Sequence, residues 1–312
     1  MSLHPGLKYD LYKTTGSNPH ILDEDNVAHL VINHNKVLGS HLLPGLEADV
    51  EETENGIRAD IRLKEGVIIR NPVHLCFGML PENGLQEIIM NINIEDNSKA
   101  SIFAHCTFPN AIDVEHVMDA KINVGNGAEY SYFERHVHGP HGGVKVIPDA
   151  VVELGEGSRF KTEFELLKGK VGKIDITYET TCHAHSVMEM NARINGRGDD
   201  DIKINETGYL IGEGARGVLT SRVAVRDNAK AHIYNKLTAT APYAIGHVDC
   251  KEIIQDNGTA SATPIVEVKH PKAHITHEAA IGSVDSKQLE TLMARGLTED
   301  EAVELIIEGL LT

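Results

Sequence analysis

From Leu46 onward the chain alternates apolar and polar residues with period two, the pattern of strands that bury one face. EADVEETENGIRADIRL alternates around Asn55-Gly56, a dipeptide that predicts a hairpin. Beyond it one punctuation keeps returning: an aliphatic residue, a polar or Gly-rich turn, then a small residue opening the next alternating stretch. It reads IEDNSKASI from Ile94, VGNGAEYSY from Val124 and LGEGSRFKT from Leu154, at intervals of 30. It reads VRDNAKAHI from Val225 and IQDNGTASA from Ile254, at an interval of 29. The gap of 71 between Leu154 and Val225 is room for two coils, with INGRGDDD from Ile194 as a looser copy. VKHPKAHI starts at Val268, 14 residues after Ile254, which divides a coil into two half-coils.

Strands that recur at a fixed interval, with turn residues at each corner, predict a mainly β fold: a flattened, two-sheet solenoid, the parallel β-helix, here expected right-handed. The competing fold is a large antiparallel sandwich. Three segments follow: an N-terminal extension over 1–45, a β-helix core over 46–282 and C-terminal helices over 283–312. In the extension, LDEDNVAHLVINHNKVL predicts one short helix, with Asp23 or Asp25 as N-cap.

The end of the chain changes period. VDSKQLETLMARG predicts a helix capped by Asp285 or Ser286, with Leu289, Leu292 and Met293 on one face and Gly296 at C′. LTEDEAVELIIEGLL predicts a second, with Thr298 and Glu301 as a capping box. Its expected apolar face is Ala302, Leu305, Ile306 and Leu310, with Glu299, Asp300, Glu304 and Glu308 exposed. Such a hairpin can cap the open end of a solenoid or dock a partner.

Composition narrows the function. A net charge of −17 without a Lys/Arg run weighs against nucleic acid and anionic membrane, and favours cations or a basic protein surface. Aromatics at 4% and the absence of Trp argue against sugar or base stacking. Cysteines at 76, 106, 182 and 250 are too scattered for a disulfide framework and include no CxxC pair. The first residues carry no apolar signal region, and no apolar run is long enough to span a membrane, so a soluble cytoplasmic protein with free thiols is expected. Most of the 18 histidines read as surface and turn residues. No GxxxxGK[ST] occurs, so no nucleotide site of its own is expected.

The period also brings chemistry together. His277 and Glu278 follow Cys250 by 27 and 28 residues, about one coil, and would share its face if the register allows. His136 follows Cys106 by 30. A thiol beside an imidazole can hold soft metal or take part in sulfur chemistry, though a lone cysteine is as readily a small buried hydrophobe. Cys182-His183-Ala184-His185 is a weaker metal candidate, because in a strand Cys182 and the two histidines face opposite ways. Cys76, in an apolar stretch, reads as core.

These residues carry a family resemblance. HEAAIGSVDSKQLETLMARGLTEDEAVELIIEGLL, over 277–311, is similar to the tail HEATxxxIxxxQLxYLxxRGxxxxxAxxxIxxGF of the SufB/SufD family of iron–sulfur cluster assembly proteins. DCKEIIQDNGTASATPIVEVK resembles that family's QCDSLLIGxxxxAxTxPxIEVK, which places Cys250 on its thiol position. FPNAIDVEH after Cys106 resembles its GC-x-AP…LH segment, with His116 as the matching histidine. The resemblance covers about residues 60–311.

It implies a right-handed β-helix, dimerisation through the last β-helix strands, and a SufC-like ABC-type ATPase docked on the C-terminal helices. It implies a transient 4Fe–4S or 2Fe–2S cluster built at the dimer interface for apoprotein recipients. By position, Cys250 would ligate iron or hold sulfur, His277 and Glu278 would be interface ligands or supports, and Cys106 would be the sulfur-entry thiol. The chain is short and lacks the family's long N-terminal helical region, which suggests a homodimer doing both jobs, as in minimal versions of the system. The reading is therefore a scaffold rather than an enzyme. The alternatives are a SufD-like structural subunit without its own cluster, and a β-helix polysaccharide lyase, which would want paired carboxylates and stacking aromatics.

Overall fold

The computed structural model describes residues 6–311; the first five positions of the predicted extension, and Thr312 at the end of the predicted helical segment, lie outside the described residues. Two sheets face each other, one of ten strands and one of nine, and successive strands alternate between them. Within each sheet neighbours are parallel and two strands apart in sequence, except for an antiparallel hairpin at the N-terminal edge of each and the parallel pair His29–Asn33 and Val73–Gly78, which are four strands apart. This is the expected parallel β-solenoid. The Asn55-Gly56 hairpin joins Leu46–Glu52 to Gly56–Leu63.

The lumen is lined by every second residue. In Asn83–Ile94 the inward set is Ile88, Met90, Ile92 and Ile94, each at most 2% exposed. Burying one such side chain stabilises the fold by roughly 1.5–3 kcal/mol. Parallel register stacks like on like, as in Ile94, Val124 and Leu154, which pair in turn at the end of the nine-stranded sheet.

The corners explain the punctuation. Asn97, Gly127, Gly157, His185, Gly214 and Tyr243 all have φ between 55° and 67°, one per coil on the same edge. That left-handed conformation suits Gly and Asn, while Tyr243 is held there against its usual preference. Corners also stack: Asp96 Oδ1 accepts from the Asn126 amide at 2.8 Å, and Asn126 Oδ1 from the Glu156 amide at 2.8 Å.

The 71-residue gap is two and a half coils rather than two. Leu154 pairs with Cys182 and Cys182 with Leu210 in the nine-stranded sheet, whereas Val225 and Ile254 end strands of the ten-stranded sheet. The same punctuation occurs at both edges, so a repeat count alone cannot tell a half-coil from a whole one.

The N-terminal segment departs from expectation. Pro19–Asp23 is a single 3-10 turn, and the predicted short helix gives way to the strands His29–Asn33 and Lys36–His41. His29–Asn33 pairs in parallel with Val73–Gly78, so these residues belong to the first coil. A β-branched Val-Ile run beside an open sheet edge wins over local helix signals. Helix α1 (Leu7–Thr14) covers the outer face of this coil, burying Leu11 and Tyr12 against Leu22, Val31 and Cys76.

At the other end, α2 (Ser286–Met293) is capped by Asp285, which accepts from the Gln288 amide at 2.7 Å. Helix α3 (Glu299–Leu311) starts on the predicted box: Thr298 Oγ1 accepts from the Glu301 amide, and Glu301 Oε2 accepts from the Thr298 amide at 2.8 Å. Its buried face is Ala302, Val303, Ile307 and Leu311, while Leu305 is 48% exposed, so the face is rotated from the expected one. Two arginines on the solenoid cause this. Glu304, expected in solvent, pairs with Arg197 at 2.6 Å and with Arg226, and turns the Val303, Ile307 and Leu311 face of α3 onto Ala224 and Val284.

Candidate functional sites

Cys250 lies in Ile245–Ile254, the penultimate strand of the ten-stranded sheet, and points into the lumen with 0% exposure. Ser221 precedes it in register and Ala279 follows it. Across the lumen Asn235 Nδ2 donates to Cys250 Sγ at 3.7 Å, and Ser221 Oγ donates to the buried Glu252 carboxylate at 3.2 Å. Burial pushes the thiol above its ordinary range against the opposing pull of hydrogen bonds from Ser221 and Asn235. Burial likewise raises Glu252 to about 7.

The coil is 29 residues long here, and this separates the expected trio. His277 pairs with Val248 and Glu278 with Asp249. Cys250 and His277 share a side of the sheet, whereas Glu278 projects outward with Asp249. There Lys251 lies 3.6 Å from both carboxylates and Arg222 pairs with Asp249. His277 and Glu278 are exposed, because their strand is the last of its sheet.

Cys106 meets its expected partner: it pairs in register with His136, and both are buried. They belong to a larger cluster. His138 Nε2 lies 3.2 Å from His136 Nδ1, and His136 Nε2 lies 2.6 Å from Glu134 Oε1. Cys106 Sγ is 3.7 Å from the same oxygen. The neutral tautomers make a chain in which His138 donates to His136 and His136 to the carboxylate. Burial favours the uncharged form of each member: it raises Glu134 to about 7, lowers His116 and His136 to about 3, and raises the Cys106 thiol. Cys106, His116 and Glu134 are the one group among the described residues whose donor atoms lie close enough, within 4.8 Å of one another, to share a metal ion.

Glu134 escaped the sequence reading. Its signal was parity: in EYSYFERHVH the inward set is Tyr130, Tyr132, Glu134, His136 and His138, a carboxylate and two imidazoles on a face that must be buried. Eleven of the seventeen described histidines are partly or fully exposed, as expected for most of them, but His29, His74, His105, His116, His136 and His138 are buried.

Cys182, His183 and His185 do not converge. Cys182 faces inward between Leu154 and Leu210, His183 pairs outward with Glu153, and His185 occupies a corner at φ 58°. Cys76 is buried beneath α1, as its apolar context predicts. Among the described residues no helix is long and apolar enough to cross a membrane.

Residues 82–310 match the family described as SUF system FeS cluster assembly, SufBD core domain. The chain is 38% identical over 299 residues to an iron–sulfur cluster assembly SufBD family protein of Methanocaldococcus jannaschii, covering 96% of this chain and 95% of that one. It is 36% identical to another from Pyrococcus horikoshii, covering 97% and 92%. The iron–sulfur cluster assembly protein SufB of Bacillus subtilis is more distant, 25% identical over 44% of this chain and 36% of its own length. With a solenoid that positions buried thiols beside imidazole and carboxylate groups, and with close relatives matched over nearly their whole length, this chain belongs to the SufBD family of iron–sulfur cluster assembly proteins.

Proposed function

We propose that the chain is a non-enzymatic scaffold on which a nascent iron–sulfur cluster is built, working as a homodimer with a SufC-like ABC-type ATPase. The observation that carries this is the position of Cys250, one strand from the open end of the ten-stranded sheet, in a chain of this family. The last strands, Thr259–Val268 and His274–Ser283, present unpaired backbone edges, and a second copy of the chain is a fitting cover. Cys250 thiolates from both copies would hold iron and sulfide there, with His277 and Glu278 at the rim. Cys106 is 1% exposed, so a sulfur donor could use it as an entry thiol only by opening that coil.

The ATPase would dock on α2 and α3. Glu304 ties α3 to Arg197 and Arg226, and Arg226 immediately follows the strand Arg216–Val225, whose Ser221 pairs with Cys250. Movement of the docked ATPases would then be passed through α3 to the coil beside the thiol and expose it. A second reading, a structural subunit without its own cluster, is supported by the full burial of Cys250.

Anaerobic reconstitution with iron and sulfide, with the ATPase co-expressed, separates the two readings. Wild type should acquire the absorbance and Mössbauer signature of a cluster, and Cys250→Ala should not. If wild type stays colourless, the structural-subunit reading holds instead.

A further inference from the structure

The lumen holds a second thiol cluster, whose Cys106 the scaffold reading can use as a sulfur entry only if the coil opens. Cys106 Sγ, a nitrogen of His116 and a carboxylate oxygen of Glu134 lie within 4.8 Å of one another, in residues at most 2% exposed. Two observations show that the cluster is prepared for a ligand. The first is an orphan: Glu134 Oε2 is buried with no hydrogen-bond partner, while Oε1 serves both His136 and Cys106. Leaving a carboxylate oxygen unpaired in an interior costs about 1–3 kcal/mol or more.

The second is the orientation of His116. Gln86 Nε2 donates to the carbonyls of His34 at 2.9 Å and Gly78 at 3.0 Å, which fixes its amide and turns Oε1 toward His116 Nδ1, 3.0 Å away. Nδ1 must therefore carry the proton, and Nε2 is left with its lone pair. An imidazole held through one ring nitrogen, with the other left free to bind, has the usual outer-shell support of a metal ligand.

We infer that Cys106, His116 and Glu134 form a divalent-metal site inside the solenoid, and that it takes ferrous iron. Sulfur, nitrogen and oxygen donors suit a borderline first-row ion and disfavour magnesium or calcium. One thiolate and one carboxylate balance a dication beside a neutral imidazole, so the loaded site adds no net charge to the lumen. At tetrahedral angles, metal bonds of about 2.3 Å to sulfur and about 2.0 Å to oxygen put those two donors roughly 3.5 Å apart. Cys106 Sγ and Glu134 Oε1 already stand 3.7 Å apart. The site is five strands from Cys250 along the ten-stranded sheet, or about 24 Å at the inter-strand spacing, so the two thiols cannot share one ion. Iron rather than zinc rests on the scaffold reading; the site itself does not.

Cobalt(II) tests the site without requiring cluster assembly. The full chain is refolded anaerobically with one equivalent of cobalt and desalted, which also loads an enclosed site. Wild type and Cys250→Ser should retain about one cobalt with a near-ultraviolet thiolate-to-cobalt band, and Cys106→Ser should lose the band. Gln86→Met removes no ligand and should weaken cobalt binding about 10–100-fold. No band in wild type, a band that survives Cys106→Ser, or one that vanishes with Cys250→Ser would overturn the site. If Cys106→Ser fails to refold, Gln86→Met with a native circular dichroism spectrum decides, and unchanged cobalt affinity refutes the inference. An intact cobalt site in a chain that never builds a cluster would sink the scaffold reading alone.

Discussion

Cys250 lies in register with Ala279, so its side chain and that of Glu278 leave opposite faces of the same sheet. The Glu278 carboxylate reaches Lys251 at 3.6 Å in solvent, and such an exposed pair contributes about 0–1 kcal/mol. Glu278→Gln should therefore leave the urea midpoint within experimental scatter of wild type. On the scaffold reading the same variant should retain less iron and sulfide after reconstitution. Unchanged cluster content would remove Glu278 from the assembly site and leave Cys250 and His277 to hold it.

Helix α3 offers a paired test. Ile307 is 0% exposed, beside Val303 and Leu311, whereas Leu305, two residues earlier on the opposite face, is 48% exposed. Ile307→Ala should cost about 2–4 kcal/mol of docking, read as accelerated hydrogen exchange along 299–311. Leu305→Ala should stay within about 0.5 kcal/mol. If Leu305 instead forms part of an ATPase contact, its alanine variant should lose copurifying ATPase with no change in exchange.

The solenoid was legible because its lumen demands an apolar residue at every second position and its corners demand a left-handed residue once per coil. Ile94, Val124 and Leu154 announce both. The site was legible only as far as spacing is exact. Thirty residues bring Cys106 onto His136, but Cys250 needed 29 to find its neighbour, and an offset of one residue sends Glu278 to the far face. The N-terminal strands and the face of α3 were hidden for another reason. The open sheet edge at Val73–Gly78 and the arginines at 197 and 226 select them, and both are distant in sequence.

Glu206 should make stability depend on pH in a direction opposite to most carboxylates. It points inward between Tyr178 and Asn235, is 1% exposed, and its Oε2 has no partner. Burial raises it from 4.5 to about 8, so the folded chain holds a proton that the unfolded chain releases. Folding then loses roughly 1.4 kcal/mol per pH unit as pH rises between those values. Glu206→Gln copies the protonated form and should remove this loss. Its Tm should exceed that of wild type at pH 8 and match it near pH 4.5. Equal Tm values at pH 8 would mean that the carboxylate is solvated in the native state.

His29 should act at the acid end. It is 4% exposed, its Nδ1 has no partner, and it sits in the first coil against His74. Burial lowers it from 6.5 to about 4, reinforced by Lys8, His41 and His74. The unfolded chain therefore binds a proton that the folded chain refuses. The stability contributed by the neutral ring is complete above about pH 6.5 and is lost as pH falls toward about 4, at roughly 1.4 kcal/mol per pH unit. His29→Leu keeps an apolar group of similar reach and cannot be protonated, so its denaturant midpoint should fall less steeply than that of wild type between pH 6.5 and 4.5. Because His29 pairs with the strand that α1 covers, amide exchange over Leu7–Thr14 should accelerate in the same range in wild type alone. Equal acid sensitivity in both proteins would assign the loss to another buried histidine, with His74 the next to replace.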